Sequence, residues 1–175
     1  VLFSNGTKTL NTGANAAVTL TSNTNGTINF TGGGLDIDTT SGIGFSATGG
    51  GTISVTGSSN SINNTNAVAT HTNTALNVVN TTIGAGGLNF VSISSGGGVS
   101  GIILNNTGNS GGLTVAGSGS PGSGGTIQNT TGDGVVLNTT INPSLSYMNI
   151  NDAADSGIFV DDVSGLNLVS LFMDS

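Results

Sequence analysis

Apolar residues recur at every second position in short runs along this chain. Leu35-Asp36-Ile37-Asp38, Thr52-Ile53-Ser54-Val55, Leu88-Asn89-Phe90, Leu113-Thr114-Val115, Leu145-Ser146-Tyr147 and Leu166-Asn167-Leu168 each set two apolar side chains on one face and a small polar residue on the other. A period of two is that of a β-strand. Clusters such as Gly49-Gly50-Gly51 and Gly117-Ser118-Gly119-Ser120-Pro121-Gly122 separate the runs and supply positive φ angles and tight bends. The predicted strands are too short and too closely punctuated for a TIM barrel or a Rossmann sheet, and no helical pattern lies between them.

The runs also repeat at longer range. Ser41-Gly42-Ile43-Gly44-Phe45 recurs as Ser100-Gly101-Ile102-Ile103-Leu104 and as Ser156-Gly157-Ile158-Phe159-Val160, at steps of 59 and 56 residues. Between these marks Asn80-Thr81-Thr82-Ile83 matches Asn138-Thr139-Thr140-Ile141, and Leu88 to Ile93 matches Leu145 to Ile150. The chain divides into a partial unit (1–40), two full units (41–99 and 100–155) and a second partial unit (156–175). Self-similarity carried by strands and turns alone predicts an all-β, right-handed parallel β-helix. A unit holds about six apolar anchors, for instance Ile43, Ile53, Ile62, Leu76, Ile83 and Leu88. The spacing accommodates two coils of roughly 28 residues or three of roughly 19. We take two coils of three strands each, which makes a rod of about six coils with Ile43, Ile53, Ile62, Leu76, Ile102, Leu113, Ile127, Val135, Ile158 and Leu166 inward.

Composition narrows the picture from the other side. Of 175 residues, 31 are Gly, 26 Thr, 23 Asn and 22 Ser, and one Lys is the only Lys or Arg against eight Asp or Glu. So few strong helix formers beside so many β-branched residues exclude a helical fold. Cys is absent, so no disulfide framework holds the fold. A formal net charge of −7 opposes binding to nucleic acid or to anionic lipid, both of which want clustered Lys and Arg. No apolar run approaches the roughly 20 residues of a membrane-spanning helix, so no membrane insertion is expected. The opening Val1-Leu2-Phe3-Ser4 has neither an initiator Met nor a signal-peptide pattern, which suits a mature or excised piece of a longer chain.

Four segments, Gly111-Gly112-Leu113-Thr114-Val115, Gly124-Gly125-Thr126-Ile127-Gln128-Asn129, Gly132-Asp133-Gly134-Val135 and Leu145-Ser146-Tyr147-Met148-Asn149-Ile150, resemble the right-handed parallel β-helix repeats of large bacterial secreted and surface proteins. Those are adhesin-like and autotransporter-passenger-like chains, and the resemblance covers roughly residues 26 to 175. It implies an extracellular or cell-surface location and a structural, non-catalytic role in a fibre, stalk or adhesin. The competing expectation is a β-helix that binds or cleaves polysaccharide, with surface glycans as partners.

Candidate chemistry is sparse. β-Helix lyases are similar to one another in an acidic calcium cluster beside a basic residue. Here the sole Lys is at position 8, far from the acidic C-terminal region. Asp161-Asp162 is the only adjacent carboxylate pair, and neighbouring strand residues face opposite ways, so no catalytic residue is expected. Asp152, Asp155, Asp161 and Asp162, with Asp133 upstream, offer oxygen ligands of the kind Ca²⁺ takes, and Asn149 or Asn151 could add carbonyls. The plainer expectation is that these are solvated turn residues. No other cofactor is implied. Thr70-His71-Thr72-Asn73-Thr74 has the threonine parity of an ice-binding face, but the matching Thr130-Thr131-Gly132-Asp133-Gly134 breaks the array, and His71 reads as solvent-facing. The frequent Asn, including Asn80, Asn105, Asn106, Asn129 and Asn138, suit left-handed turn positions. Both termini are apolar and uncapped, Val1-Leu2-Phe3 at one end and Leu166 to Met173 at the other. Unpaired solenoid edges of this kind predict end-to-end self-association or continuation into further coils.

Overall fold

The computed structural model describes residues 1–65 and 73–174. Among them there is no helix, and twenty strands wind into a parallel β-solenoid. The first coil is β1 (Leu2–Phe3), β2 (Lys8–Gly13) and β3 (Val18–Thr21), and the second is β4 (Thr27–Phe30), β5 (Leu35–Thr39) and β6 (Phe45–Thr48). Next come β7 (Thr52–Val55), β8 (Ser61–Thr65) and β9 (Leu76–Val79), then β10 (Thr82–Phe90), β11 (Ser92–Gly96) and β12 (Ile102–Asn105). The fifth coil is β13 (Leu113–Val115), β14 (Thr126–Gln128) and β15 (Val135–Ile141), and the sixth is β16 (Ser144–Ser146), β17 (Asn149–Asn151) and β18 (Ile158–Ser164). Two strands, β19 (Asn167–Val169) and β20 (Phe172–Asp174), begin a further coil.

Every third strand pairs in parallel with its counterpart in the next coil. Three sheets result, in the orders β1-β4-β7-β10-β13-β16-β19, β2-β5-β8-β11-β14-β17-β20 and β3-β6-β9-β12-β15-β18. The third sheet keeps one register throughout: Val18, Phe45, Leu76, Ile102, Val135 and Ile158 stack as one inward column. That column decides the coil count. Ile102 lies 57 residues after Phe45 and Ile158 lies 56 after Ile102, with Leu76 and Val135 between, so each repeat unit is two coils.

The inward face is a continuous apolar core. Ile53, Ile62, Leu76, Ile102, Leu113, Ile127 and Val135 are all buried as expected from parity. Three of the expected inward residues differ. Ile43 is only half-buried in a corner, and Phe45 takes the inward slot with no exposed surface. The tandem Gly42-Ile43-Gly44-Phe45 offers two Gly-apolar pairs, and the match through Gly42 picks the wrong one. The position before the inward column admits only Gly or Ala (Ala17, Gly44, Ala75, Gly101, Gly134, Gly157). A Cβ on Gly101 would come within 2.5 Å of the Ile127 side chain, and one on Gly134 within 2.6 Å of the Gly157 carbonyl oxygen. Ile158 and Leu166 point as expected but are half-buried, because no coil among the described residues covers them. Near the other end Phe45 meets Phe30 edge-on at 5.7 Å, and Phe30 stacks on Phe3 at 4.7 Å.

In each coil the corner between the third sheet and the first holds a left-handed residue at the fourth position after the inward one: Ser22, Gly49, Asn80, Asn106, Thr139 and Asp162, with φ between 47° and 76°. A residue with positive φ turns the chain sharply, and Asn and Gly adopt it at least cost; at Thr139 and Asp162 the paired strands run on beyond the turn. Asn106 Nδ2 donates to Asn80 Oδ1 at 2.9 Å, so neighbouring corners also bond to each other. Asn105 and Asn138, expected at turns, instead end or continue strands. Thr139 therefore carries the turn, although a β-branched residue is poorly suited to it. Replacing Thr139 by Gly is expected to stabilise the fold by about 1 kcal/mol through relief of that strain. A urea midpoint that rises measures this, and a fall would mean that the Thr139 hydroxyl bond to Asn138 Oδ1 at 2.8 Å outweighs the strain.

Polar residues also enter the interior. Thr39, Asn64 and Ser95 stack in register at the inward end of β5, β8 and β11, each buried, and Thr39 Oγ1, Asn64 Oδ1 and Ser95 Oγ have no hydrogen-bond partner among the described residues. Asn60, by contrast, is fully used. Its Oδ1 accepts from the Leu35 N–H at 2.8 Å, and its Nδ2 donates to the carbonyls of Gly57 and Asn89, both at 2.6 Å, which ties three consecutive coils together.

Candidate functional surfaces

The four aspartates singled out from the sequence all lie on the last coil, in different settings. Asp152 is a left-handed corner residue after β17, with φ of 51°. Asp155 follows in the connection to β18 and lines, with Asp174, Met173 and Ile150, a hollow of about 280 Å³. Asp161 points outward on β18 opposite Asn138. Asp162 sits at the next corner and faces a separate cleft. Asp133 accepts from the Ser156 N–H at 2.9 Å and so serves the joint between coils. Among the described residues no three His, Asp or Glu side chains come close enough to hold a metal ion together. The left-handed turn at Asp162 is the physical reason that the adjacent pair does not converge: it carries Asp162 round the corner while Asp161 stays on the strand face.

The cleft beside Asp162 has a volume of about 390 Å³ and is lined by amide, hydroxyl and carboxylate groups from three coils, Asn106, Asn109, Thr139, Asp162 and Ser164 among them. The corner after β12, from Asn106 to Gly112, is longer than the corners of the next two coils, and all three contribute to the lining of the cleft. No aromatic ring lines it. Sequence parity alone could not reveal this cleft, since its residues come from corners rather than strand faces.

A second carboxylate pair escaped the sequence reading as a pair. Asp36 and Asp38 project from the same outward face of β5, two residues apart. Asp36 Oδ1 accepts from Ser61 Oγ at 2.7 Å and Asp38 Oδ1 from Asn63 Nδ2 at 3.1 Å. Each carboxylate thus bonds to the side chain stacked on it in the next coil, an arrangement that holds strand neighbours rather than a ligand. The period-two signal was present in Leu35-Asp36-Ile37-Asp38, but it could not show which strand lies alongside. On the third sheet, Ile103, Val136 and Phe159 form a short outward apolar stripe in register.

Of the threonine-rich segment, Thr70, His71 and Thr72 lie outside the described residues. Thr74 is buried, and Asn73 donates through Nδ2 to the Ser41 carbonyl, so these two serve packing between coils.

Compared with known proteins, the chain matches no family, no curated protein and no solved structure. The parallel solenoid agrees with the architecture that the resemblance to bacterial β-helix repeats implies. No relative ties it to adhesin-like chains in particular, and the functional reading rests on the geometry of the rod itself.

Proposed function

We propose that this chain is a structural, non-catalytic segment of an extracellular fibre, stalk or adhesin on a bacterial surface. One observation carries the reading: a single apolar column runs through every coil, from Val18 to Ile158, while small polar side chains on the outward faces bond to their neighbours along the rod, as Asn77 does to Ser46 and Asn167 to Ser144. Such an object transmits length and stiffness, since each coil adds about 4.8 Å of rise and rests on the coil before it. The resemblance to surface β-helix repeats supports the location.

The cleft lined by Asn106, Asn109 and Asp162 supports the competing reading, a carbohydrate-binding β-helix. Amides and hydroxyls in a groove suit sugar hydroxyls. Incubation with a panel of polysaccharides, with reducing-end detection and a pull-down arm, separates the two. The structural reading expects no new reducing ends and no retained glycan. Turnover of any uronic-acid polymer would sink it. A glycan that binds the parent chain and loses tenfold or more in affinity on Asn109→Ala would establish the competing reading.

A further inference from the structure

The two ends of the rod carry complementary chemistry. At one end β1, β2 and β3 are each paired on one side only and enclose a hollow of about 410 Å³, lined by Phe3, Leu10, Val18, Leu20, Phe30 and Leu35. Lys8, the only Lys or Arg in the chain, sits there opposite Leu35. Its ammonium donates to the carbonyls of Thr31 at 2.9 Å, Gly6 at 3.0 Å and Gly33 at 3.2 Å. At the other end Ile158, Val160, Leu168 and Met173 continue the inward columns of Val135, Leu137, Leu145 and Ile150. Ile158 is half-buried and the other three lie open, with Val160 46 %, Leu168 44 % and Met173 59 % exposed. Five of the eight carboxylates (Asp152, Asp155, Asp161, Asp162 and Asp174) belong to that end, while the nearest ones to Lys8 along the rod, Asp36 and Asp38, lie one coil further in.

From this we infer that the 175-residue polypeptide associates head to tail with a second copy of itself, the last coil of one protomer stacking on the first coil of the next. The inference rests on the structural reading above and names its partner. Three features select this occupant and this polarity. The contact continues the inter-coil interface already present throughout the rod, three parallel strand edges around an apolar column. Head-to-tail stacking keeps strand direction parallel across the joint, whereas tail-to-tail stacking would reverse it. It also brings the acidic end to the end that carries the lone Lys, while tail-to-tail contact would press two acidic ends together. An interface of this kind uses two different surfaces and does not close, so it grows into linear filaments.

Sedimentation across a concentration series tests the proposal with variants of each end. The parent chain is expected to show a weight-average mass above its 16.9 kDa and rising with concentration. Val160→Asp with Leu168→Asp blocks one end, and Phe3→Asp with Leu20→Asp blocks the other. Each double variant alone is expected to stay monomeric, and an equimolar mixture to form a dimer and nothing longer. Should either lose its β-sheet circular dichroism, Thr at the same positions is expected to keep the fold and weaken association tenfold or more. A parent that stays monomeric throughout would overturn the proposal. So would dimers of the Phe3/Leu20 variant alone, which mean tail-to-tail contact. Loss of assembly on Phe159→Ser, with the end variants unaffected, would place the contact on the flank instead and also overturn it. A monomeric parent leaves the structural reading standing, whereas polysaccharide turnover would remove that reading and leave the stacking result untouched.

Discussion

Replacing Ile102 by Asp is expected to unfold the central coils, at a cost of about 4 kcal/mol or more, while Ile103→Asp on the same strand costs under about 1 kcal/mol. Ile102 has no exposed surface and packs between Leu76 and Val135 in the inward column, where a carboxylate finds neither water nor a cation. Ile103 points outward between Asn77 and Val136, half-buried by its neighbours but open to solvent. A typical domain has only about 5–15 kcal/mol of net stability, so the first change consumes much of it. The loss falls in the middle of a stack whose coils depend on their neighbours. Urea denaturation followed by circular dichroism reads both variants. Similar midpoints for the two would mean that the strand does not have the assigned inward face.

The second large effect belongs to Asn60. Truncation to Ala removes an acceptor for the buried Leu35 N–H and both donors to the Gly57 and Asn89 carbonyls, and no side chain replaces them. Leaving buried backbone groups unpaired costs roughly 1–3 kcal/mol apiece, less where water reaches them, so the expected destabilisation is about 3 kcal/mol. Asn60→Asp keeps the acceptor but turns a carboxylate oxygen on two carbonyls, and it is expected to be no better. Asn63→Ala, three residues on and exposed, loses one bond to Asp38 at the surface and is expected to shift the midpoint little. Chemical denaturation of the three variants tests this, and an Asn60→Ala midpoint close to that of the parent would show that the coils do not depend on this residue.

The contrast between Asn60 and Ile102 shows what was legible in the chain. Ile102 announces itself: alternation sets its face, and the repeat sets its place in the coil. Asn60 looks like any other Asn in a chain with 23 of them, and only the stacked neighbours reveal three satisfied bonds inside the rod. The same limit hides the column Thr39, Asn64 and Ser95, whose polar side chains occupy inward positions that a parity argument reserves for Ile or Val. Register was legible to within two residues, failing at Ile43 and Phe45 where two glycines compete for one tight position. Tyr147, expected within a strand, is instead a corner residue with φ of 57°. Corners were the least legible elements, because the left-handed slot accepts Ser, Gly, Asn, Thr or Asp according to what the coils on either side allow. The cleft at Asp162 is a product of those corners, which is why acidic residues clustered in sequence are scattered in space.

The central claim is the unbroken stack of coils, and one distance tests it most directly. Thr19 and Phe159 are 140 residues apart in sequence, yet they occupy the same outward position on the first and last strands of the third sheet. Five inter-strand spacings of about 4.8 Å separate them, so their Cα atoms should lie about 24 Å apart. The chain has no cysteine, so spin labels on Thr19→Cys and Phe159→Cys are the only ones present. Double electron–electron resonance should return a single narrow distribution near 2.4 nm, broadened only by the label arms. A broad distribution, or a distance that fits no parallel stack of six strands, would contradict the account.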